Sequence, residues 1–330
     1  MVTIKDVAKQ AGVAISTVSN VINDVDVVSE PTRQRVLKAI EQLGYVPNLN
    51  GRYLKSKHTG LIGLFVTSIT GPYYSTLAHA VYKECARNDY GVSININSAQ
   101  TVKQMEQLLL GERIDGAIIR NNTVSDALVD RLIRQKLPMV FLDRVVTAPT
   151  VSSVLTNDRQ GGYMATEYLI KLGHRRIGFI HGWASYDDTQ RYEGYRAAMA
   201  QNNLPVHEED MLYGFYNEKS AYNAVWVYLE EHRHPPDAFF ASNDQMAIAC
   251  IRALRDANYN VPNDVSVIGY DNIDLAEYVR PSLSTVSNPV SKVGAIAART
   301  LLDTIRYRSG GKVETLEPTL ISRNSCRLNL

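Results

Sequence analysis

No stretch of this 330-residue chain approaches the roughly 20 apolar residues needed to span a bilayer. Its start, Met1 to Val13, carries charges throughout where a secretion signal has an apolar core. The chain is therefore expected in the cytoplasm, with no membrane partner. Cysteine is scarce: Cys85, Cys250 and Cys326 are odd in number and too scattered for a CxxC spacing. That argues against a disulfide framework, a zinc site or a redox pair, and for reduced, mostly buried thiols. Catalytic signatures are missing too. There is no GxGxxG after a strand, no GxxxxGK[ST] and no GxSxG, so dinucleotide binding, P-loop chemistry and the hydrolase elbow lack support. His207-Glu208 has no second His four residues on, and His232 with His234 has no third ligand nearby, so no metal or other cofactor is expected.

What is present is an ordinary globular composition, 45% apolar and 21% charged, with length for about two domains and a small third. The net charge of +1 hides an asymmetry, because residues 1–60 hold eight Lys and Arg against five Asp and Glu.

Three short helical patterns fill the first 45 residues. Thr3 with Asp6 has the spacing of a capping box for a helix running to Ala11, and Gly12 supplies the left-handed residue that ends it. A second helix, Ile15 to Ile22, turns Val18, Val21 and Ile22 toward Val7 and Ala8 and leaves Ser16, Thr17, Ser19 and Asn20 outside. Ser29 caps a third, with Pro31 in its first turn and Val36, Leu37, Ile40 and Leu43 as its apolar face. Two helices joined by a short turn containing Gly form a helix-turn-helix, whose second helix enters the major groove. Three-helix heads also serve as protein-docking modules, and helical spacing alone does not separate the two.

From residue 60 onward, apolar β-rich runs alternate with helical patterns, the signature of βαβ units and parallel sheets. The runs are Leu61 to Val66, Val92 to Ile96, Ala117 to Ile119, Met139 to Leu142, Val151 to Leu155, Ile177 to Ile180, Ala238 to Phe240, Val265 to Ile268 and Leu283 to Val286. The length favours two lobes over one core. The polar, basic stretch from Tyr45 to Gly60 reads as a linker. Asp143, Asn243, Asp244 and Asp271 stand at strand ends, where α/β folds bind ligands, and each also suits a strand-terminal cap.

The strings Thr3-Ile-Lys-Asp-Val-Ala-Lys-Gln-Ala-Gly-Val13, Thr17-Val-Ser19, Val28-Ser-Glu-Pro-Thr-Arg33 and Leu43-Gly-Tyr-Val-Pro-Asn48 closely resemble the head of the LacI/GalR (lactose-repressor/galactose-repressor) family of bacterial transcription regulators. The resemblance continues through Leu172-Gly-His-Arg-Arg-Ile177, Arg191-Tyr-Glu-Gly-Tyr195, Ala241-Ser-Asn-Asp-Gln-Met-Ala247, Val267-Ile-Gly-Tyr-Asp271 and Ser322-Arg-Asn-Ser-Cys326, and so covers essentially the whole chain. It implies a multidomain protein: an all-α helix-turn-helix head over residues 1–46, a hinge over 47–58, and an α/β two-lobed, periplasmic-binding-protein-like body over 59–330 made of two doubly wound parallel sheets. The N-lobe would comprise about 59–158 plus 289–320, and the C-lobe about 159–288 plus 321–330.

The resemblance further implies a homodimer on a pseudo-palindromic double-stranded DNA operator. Thr3, Ile15, Ser16, Thr17, Ser19, Asn20 and Asn23 would contact DNA from the head, and Leu54 from the hinge, which folds as a helix in the minor groove. Ala14 replaces the family's usual Ser at the N-cap, Asn20 its frequent Arg, and Gly51 its preferred Ala, so the operator does not transfer from relatives and the hinge helix needs DNA to form.

In the body, Arg191, Asn243 and Asp271 match effector-contacting positions of sugar-responsive members, and Tyr73, Tyr74 and Tyr216 match aromatic ones. Asp143, Thr156 and Asn288 fall at further lining positions, Asp244 is assigned a structural role, and Gly71 replaces a common Asn. The loop Gly182 to Thr189, rich in aromatic and acidic residues, favours a neutral, hydroxyl-rich ligand. The expectation is a repressor, not an enzyme, controlled by a carbohydrate. The alternatives are a purine or a phosphoprotein as effector, a transport-type solute-binding protein, which the basic head opposes, and a sugar-processing enzyme, which the missing motifs oppose.

Overall fold

The computed structural model describes residues 2–46, 58–111, 113–120, 123–142, 144–232 and 234–329. Gly51, Leu54 and the rest of 47–57, together with Asp143, lie outside the described residues. The chain divides into two compact units, Met1–Thr59 and Gly60–Leu330.

In the first unit, α1 (Ile4–Ala11), α2 (Ile15–Ile22) and α3 (Glu30–Leu43) meet around Val7, Val18 and Val36, which are fully buried. The Asp6 carboxylate accepts from the Thr3 hydroxyl at 2.7 Å and the Thr3 backbone N–H at 2.8 Å, bonds that hold it below the usual carboxylate range. Gly12 takes φ 65°, the left-handed conformation that turns the chain into α2. Three expectations need correction. Leu37 is 44% exposed and Ala39 takes its place in the core, because 36, 39, 40 and 43 share one face at helical spacing and 37 lies about 100° round from it. The Ser29 hydroxyl bonds that of Thr32 at 3.1 Å, so Ser29 holds the N-cap position without a side-chain bond to backbone N–H. Tyr45 closes the head core and does not begin a linker.

The second unit holds two six-stranded sheets. In chain order the strands are β1 (Leu61–Val66), β2 (Gly91–Ile96), β3 (Gly116–Arg120), β4 (Met139–Phe141), β5 (Val151–Thr156), β6 (Ile177–His181), β7 (Met211–Tyr213), β8 (Ala238–Ala241), β9 (Ser266–Asp271), β10 (Ser284–Ser287), β11 (Val313–Leu316) and β12 (Thr319–Ile321). The first lobe's sheet runs β11-β5-β4-β3-β1-β2, parallel throughout, and the second's runs β12-β10-β9-β8-β6-β7, parallel except where β12 meets β10. Helices cover both faces of each sheet, so the central strands read as unbroken apolar runs. Short β7 and the polar edge strands β11 and β12 have no such run, and the sequence does not announce them.

The chain crosses between lobes three times: after β5, after β10, and between β11 and β12. The crossings are tied together. Thr156 Oγ1 donates to Asn288 Oδ1 at 3.0 Å, and Asn157 Nδ2 donates to both Glu317 carboxylate oxygens at 3.0 and 3.1 Å.

One helix pair sets the geometry of the second lobe. Helices Asp158–Lys171 and Tyr186–Gln201 approach so closely that a Cβ on Gly162 would lie 2.0 Å from the Arg191 carbonyl oxygen, and one on Gly194 2.0 Å from that of Arg159. Only glycine fits at either position, and the contact sets Asp158 beside Arg191. Among the described residues, no helix is long and apolar enough to cross a membrane.

Candidate functional site

The carboxyl ends of both sheets meet at one cleft within the second unit, as expected for open α/β folds. The first lobe supplies Arg120 from the end of β3, Thr156 from the end of β5, and Tyr73 and Tyr74 from the first turn of helix Pro72–Ala86. Gly71 precedes that helix at φ 85°, facing Gln245 of the second lobe, in a conformation an Asn would strain. The second lobe contributes Asp158, Asp187 and Arg191 from its closely packed helix pair, Tyr216 from the turn after β7, Asp271 from the end of β9 and Asn288 from just beyond β10.

Arg191 is buried and held on four sides. Its Nε donates to Asp158 at 2.8 Å, its Nη1 to the Ser242 carbonyl at 2.6 Å, and its guanidinium lies 3.8 Å from the centre of the Tyr270 ring. Its remaining nitrogen is 3.9 Å from both Asp187 and Asp271. Asp271 in turn accepts from Asn288 Nδ2 at 3.2 Å. Burial pushes the Asp271 carboxyl up to about 6 against the pull of Arg191, while burial also raises Asp158 despite the same guanidinium.

Arg120 joins the lobes. It donates to the hydroxyl oxygens of Tyr73 at 2.9 Å and Tyr74 at 3.1 Å, and to Asp187 Oδ2 at 3.0 Å. Its guanidinium also covers the face of Tyr73, 4.5 Å from the ring centre. Burial pushes Asp187 upward, but Arg120 and Arg191, with hydrogen bonds from Ser185 and from Tyr216 at 3.1 Å, override it and hold Asp187 at about 2. Burial, against the pull of Arg120, lifts the Tyr73 phenol to about 12.

These side chains line a narrow gap with Tyr73, Arg120, Thr156, Asp158, Tyr186, Asp187, Arg191 and Asn288 on its polar side and Leu142, Leu155 and Val293 on its apolar side. Among the described residues no His or Cys lines it. The nearby His181 is paired with Asp188 at 2.8 Å, and the other Asp188 oxygen accepts from the Gly182 N–H at 2.7 Å. This pair braces the Gly182 loop.

Tyr73, Thr156, Arg191 and Asn288 thus line the gap, and Tyr74, Tyr216 and Asp271 bond to residues that do. Asn243 also has a structural part: its Oδ1 accepts from the Met246 N–H at 2.9 Å, which makes it the N-cap of helix Asp244–Asp256. Asp244 is locked by the Thr285 hydroxyl at 2.6 Å and the Ile273 N–H at 2.8 Å. Sequence reasoning passes over Arg120 and Asp158, and reaches Tyr186 and Asp187 only as members of the Gly182 to Thr189 loop. The strand-end rule that selects Asp271 also selects Arg120, and the first-turn position after β6 points to Asp187.

On the head, α2 presents Ile15 and Ser16 exposed and Thr17, Ser19 and Asn20 half-buried, with Thr3 exposed at the start of α1. Asn23 is occupied: its Nδ2 donates to the Ser19 carbonyl at 2.8 Å, finishing α2. Ala14 gives α2 no side-chain cap.

Residues 3–48 match the family "Bacterial regulatory proteins, lacI family", and residues 166–326 match the "Periplasmic binding protein-like domain". The HTH-type transcriptional repressor PurR of Photobacterium profundum is 36% identical over 332 residues, spanning 99% of each chain. Among solved structures, a complex of the transcriptional regulator CelR with cellobiose is 30% identical, with a TM-score of 0.74 over 98% of this chain and 100% of the other. The lac repressor dimer bound to operator and the anti-inducer ONPF is 26% identical, with a TM-score of 0.83 over 99% of both chains.

Proposed function

This chain belongs to the lacI family of bacterial regulatory proteins and is a DNA-binding transcriptional repressor, not an enzyme; from that premise we propose that a carbohydrate held between its lobes sets its operator affinity. The observation that carries this reading is the gap itself, where two guanidiniums and two carboxylates alternate with Tyr, Thr and Asn side chains, and Asp271 stands behind Asn288 and Arg191. Such a set offers paired donors and acceptors to vicinal hydroxyls, with its charges balanced within the gap. The cellobiose bound by CelR supports the same class. A ligand changes DNA affinity only through its differential affinity for open and closed lobes.

The PurR relatives motivate a second reading, a purine effector. A flat base needs a free aromatic face, and the Tyr73 face is already covered by Arg120. For DNA, the reading is a homodimer whose heads, residues 1–46, place Ile15, Ser16 and Asn20 on the base edges of two operator half-sites, with Leu54 of the 47–58 hinge in the minor groove. The test is a thermal-shift screen of mono- and oligosaccharides beside hypoxanthine, guanine and adenine. A ligand at about 100 times its dissociation constant adds about 2.7 kcal/mol. Stabilisation by a saccharide supports the reading, and stabilisation by purines alone overturns it.

A further inference from the structure

Outside the gap, on the second lobe, aromatic rings form a continuous row. Tyr192 meets His181 with ring centres 4.7 Å apart, His181 stacks on Tyr213 at 5.0 Å, Tyr213 on Phe215 at 6.1 Å, and Phe215 packs against Trp183 at 4.7 Å. The outer end is uncovered: Trp183 is 60% exposed, Tyr213 56% and Phe215 38%. A contiguous exposed aromatic surface marks an interaction site more often than a scatter of single apolar residues does.

The backbone connects this row to the gap. Phe215 and Tyr216 are consecutive non-glycine residues in the left-handed region, at φ 55° and 53°, a conformation that L side chains rarely adopt. The turn splits the two rings. Tyr216 points inward, over Gly182, where a Cβ would fall 2.2 Å from its ring, and reaches Asp187 at the gap. Phe215 points outward onto Trp183, the residue after Gly182.

We propose that Trp183, Phe215 and Tyr213 form a second sugar subsite, so that the effector is an oligosaccharide with one ring in the gap and the next stacked on this platform. The proposal rests on the carbohydrate reading and adds to it a ligand length. The chemistry fits a pyranose: its C–H face is apolar and flat enough to lie on an indole, while its rim hydroxyls remain in water.

The test is calorimetric titration of the full-length protein with glucose, cellobiose and cellotriose, and with maltose and maltotriose, beside hypoxanthine. Wild type, Trp183→Ala and Trp183→Phe are compared; Trp183 is exposed, so neither variant disturbs the core. We expect a disaccharide or trisaccharide of one linkage to bind at least about tenfold tighter than glucose, an advantage that Trp183→Ala removes and Trp183→Phe largely keeps, with glucose affinity and operator binding unchanged. Binding of a saccharide with affinity independent of length, or a length preference untouched by Trp183→Ala, overturns the subsite and leaves the carbohydrate reading standing. Binding of hypoxanthine alone overturns both. A Trp183→Ala effect on oligomeric state or operator affinity with no effect on any saccharide assigns the platform to a protein contact and overturns the subsite as well.

Discussion

Arg120, at the end of a strand in one lobe, sits 3.0 Å from Asp187, in the first turn of a helix in the other. Both side chains are mostly buried, and each has further partners in its own lobe: Tyr73 and Tyr74 for Arg120, Ser185 and Tyr216 for Asp187. The pair therefore latches the two lobes together across the gap.

Arg120→Ala should release that latch. Removing one member of a largely buried pair leaves the other charge unpaired, at about 3 kcal/mol, and lobe opening relieves the cost by rehydrating Asp187. The radius of gyration of the free protein, measured by small-angle scattering, should rise. Arg120→Lys keeps the charge but not the three-way fork and should restore closure only in part. An unchanged scattering profile for Arg120→Ala would remove the latch from the account.

Asp271 gives the free body a pH dependence. Its carboxyl is raised to about 6 from an ordinary 3.8, so its contribution to stability is full below the ordinary value and is lost as pH rises through about 6, on the order of 3 kcal/mol. Asp187, held at about 2, keeps its contribution at every pH above the ordinary carboxylate range. Urea unfolding between pH 4.5 and about 7.5 should show wild type losing stability relative to Asp271→Asn as pH rises. Parallel profiles would contradict this.

Asn20→Ala should cost roughly 1 to 3 kcal/mol on the operator and relax selectivity at one base pair per half-site. Asn23→Ala frays the end of α2, because that amide is spent on the Ser19 carbonyl, and should weaken binding without changing base preference. Binding assays at fixed salt over a randomised half-site separate the two effects. Unaltered affinity and preference for Asn20→Ala would move base reading to another face.

Gly162→Ala tests the helix contact that seats Arg191. The new methyl would meet a backbone carbonyl that no rotamer change can move, so the two helices must separate, at about 3 kcal/mol or more, and saccharide affinity should fall with stability. Denaturant unfolding and titration on the same sample check both. Normal stability would mean that the helices part freely.

The legible elements are those whose burial forces a pattern. Leu61 to Val66 is covered on both faces and is apolar at every position, whereas β12 pairs only at the sheet edge, and Thr319 to Ile321 shows no period. At the site, strand ends select Asp271, which bonds Asn288 of the gap lining, and also Asn243; a residue ending a strand and starting a helix can face a ligand or cap the helix, and sequence does not show that the Met246 N–H takes the Asn243 Oδ1. Arg120 escapes notice because a lone Arg after an apolar run resembles any solvated strand end; its role exists only once the second lobe brings Asp187 to it.

The three stitched crossings constrain how such a body can move. A single connecting strand would let the lobes roll, shear and twist about any backbone bond. Three crossings joined through Thr156, Asn288, Asn157 and Glu317 cannot change their mutual positions without breaking those bonds, which restricts the ways the lobes can part. Arg120 and Asp187 belong to no crossing: one ends a strand of the first lobe and the other begins a helix of the second, so their bond is a contact between the lobes and not a part of the connection.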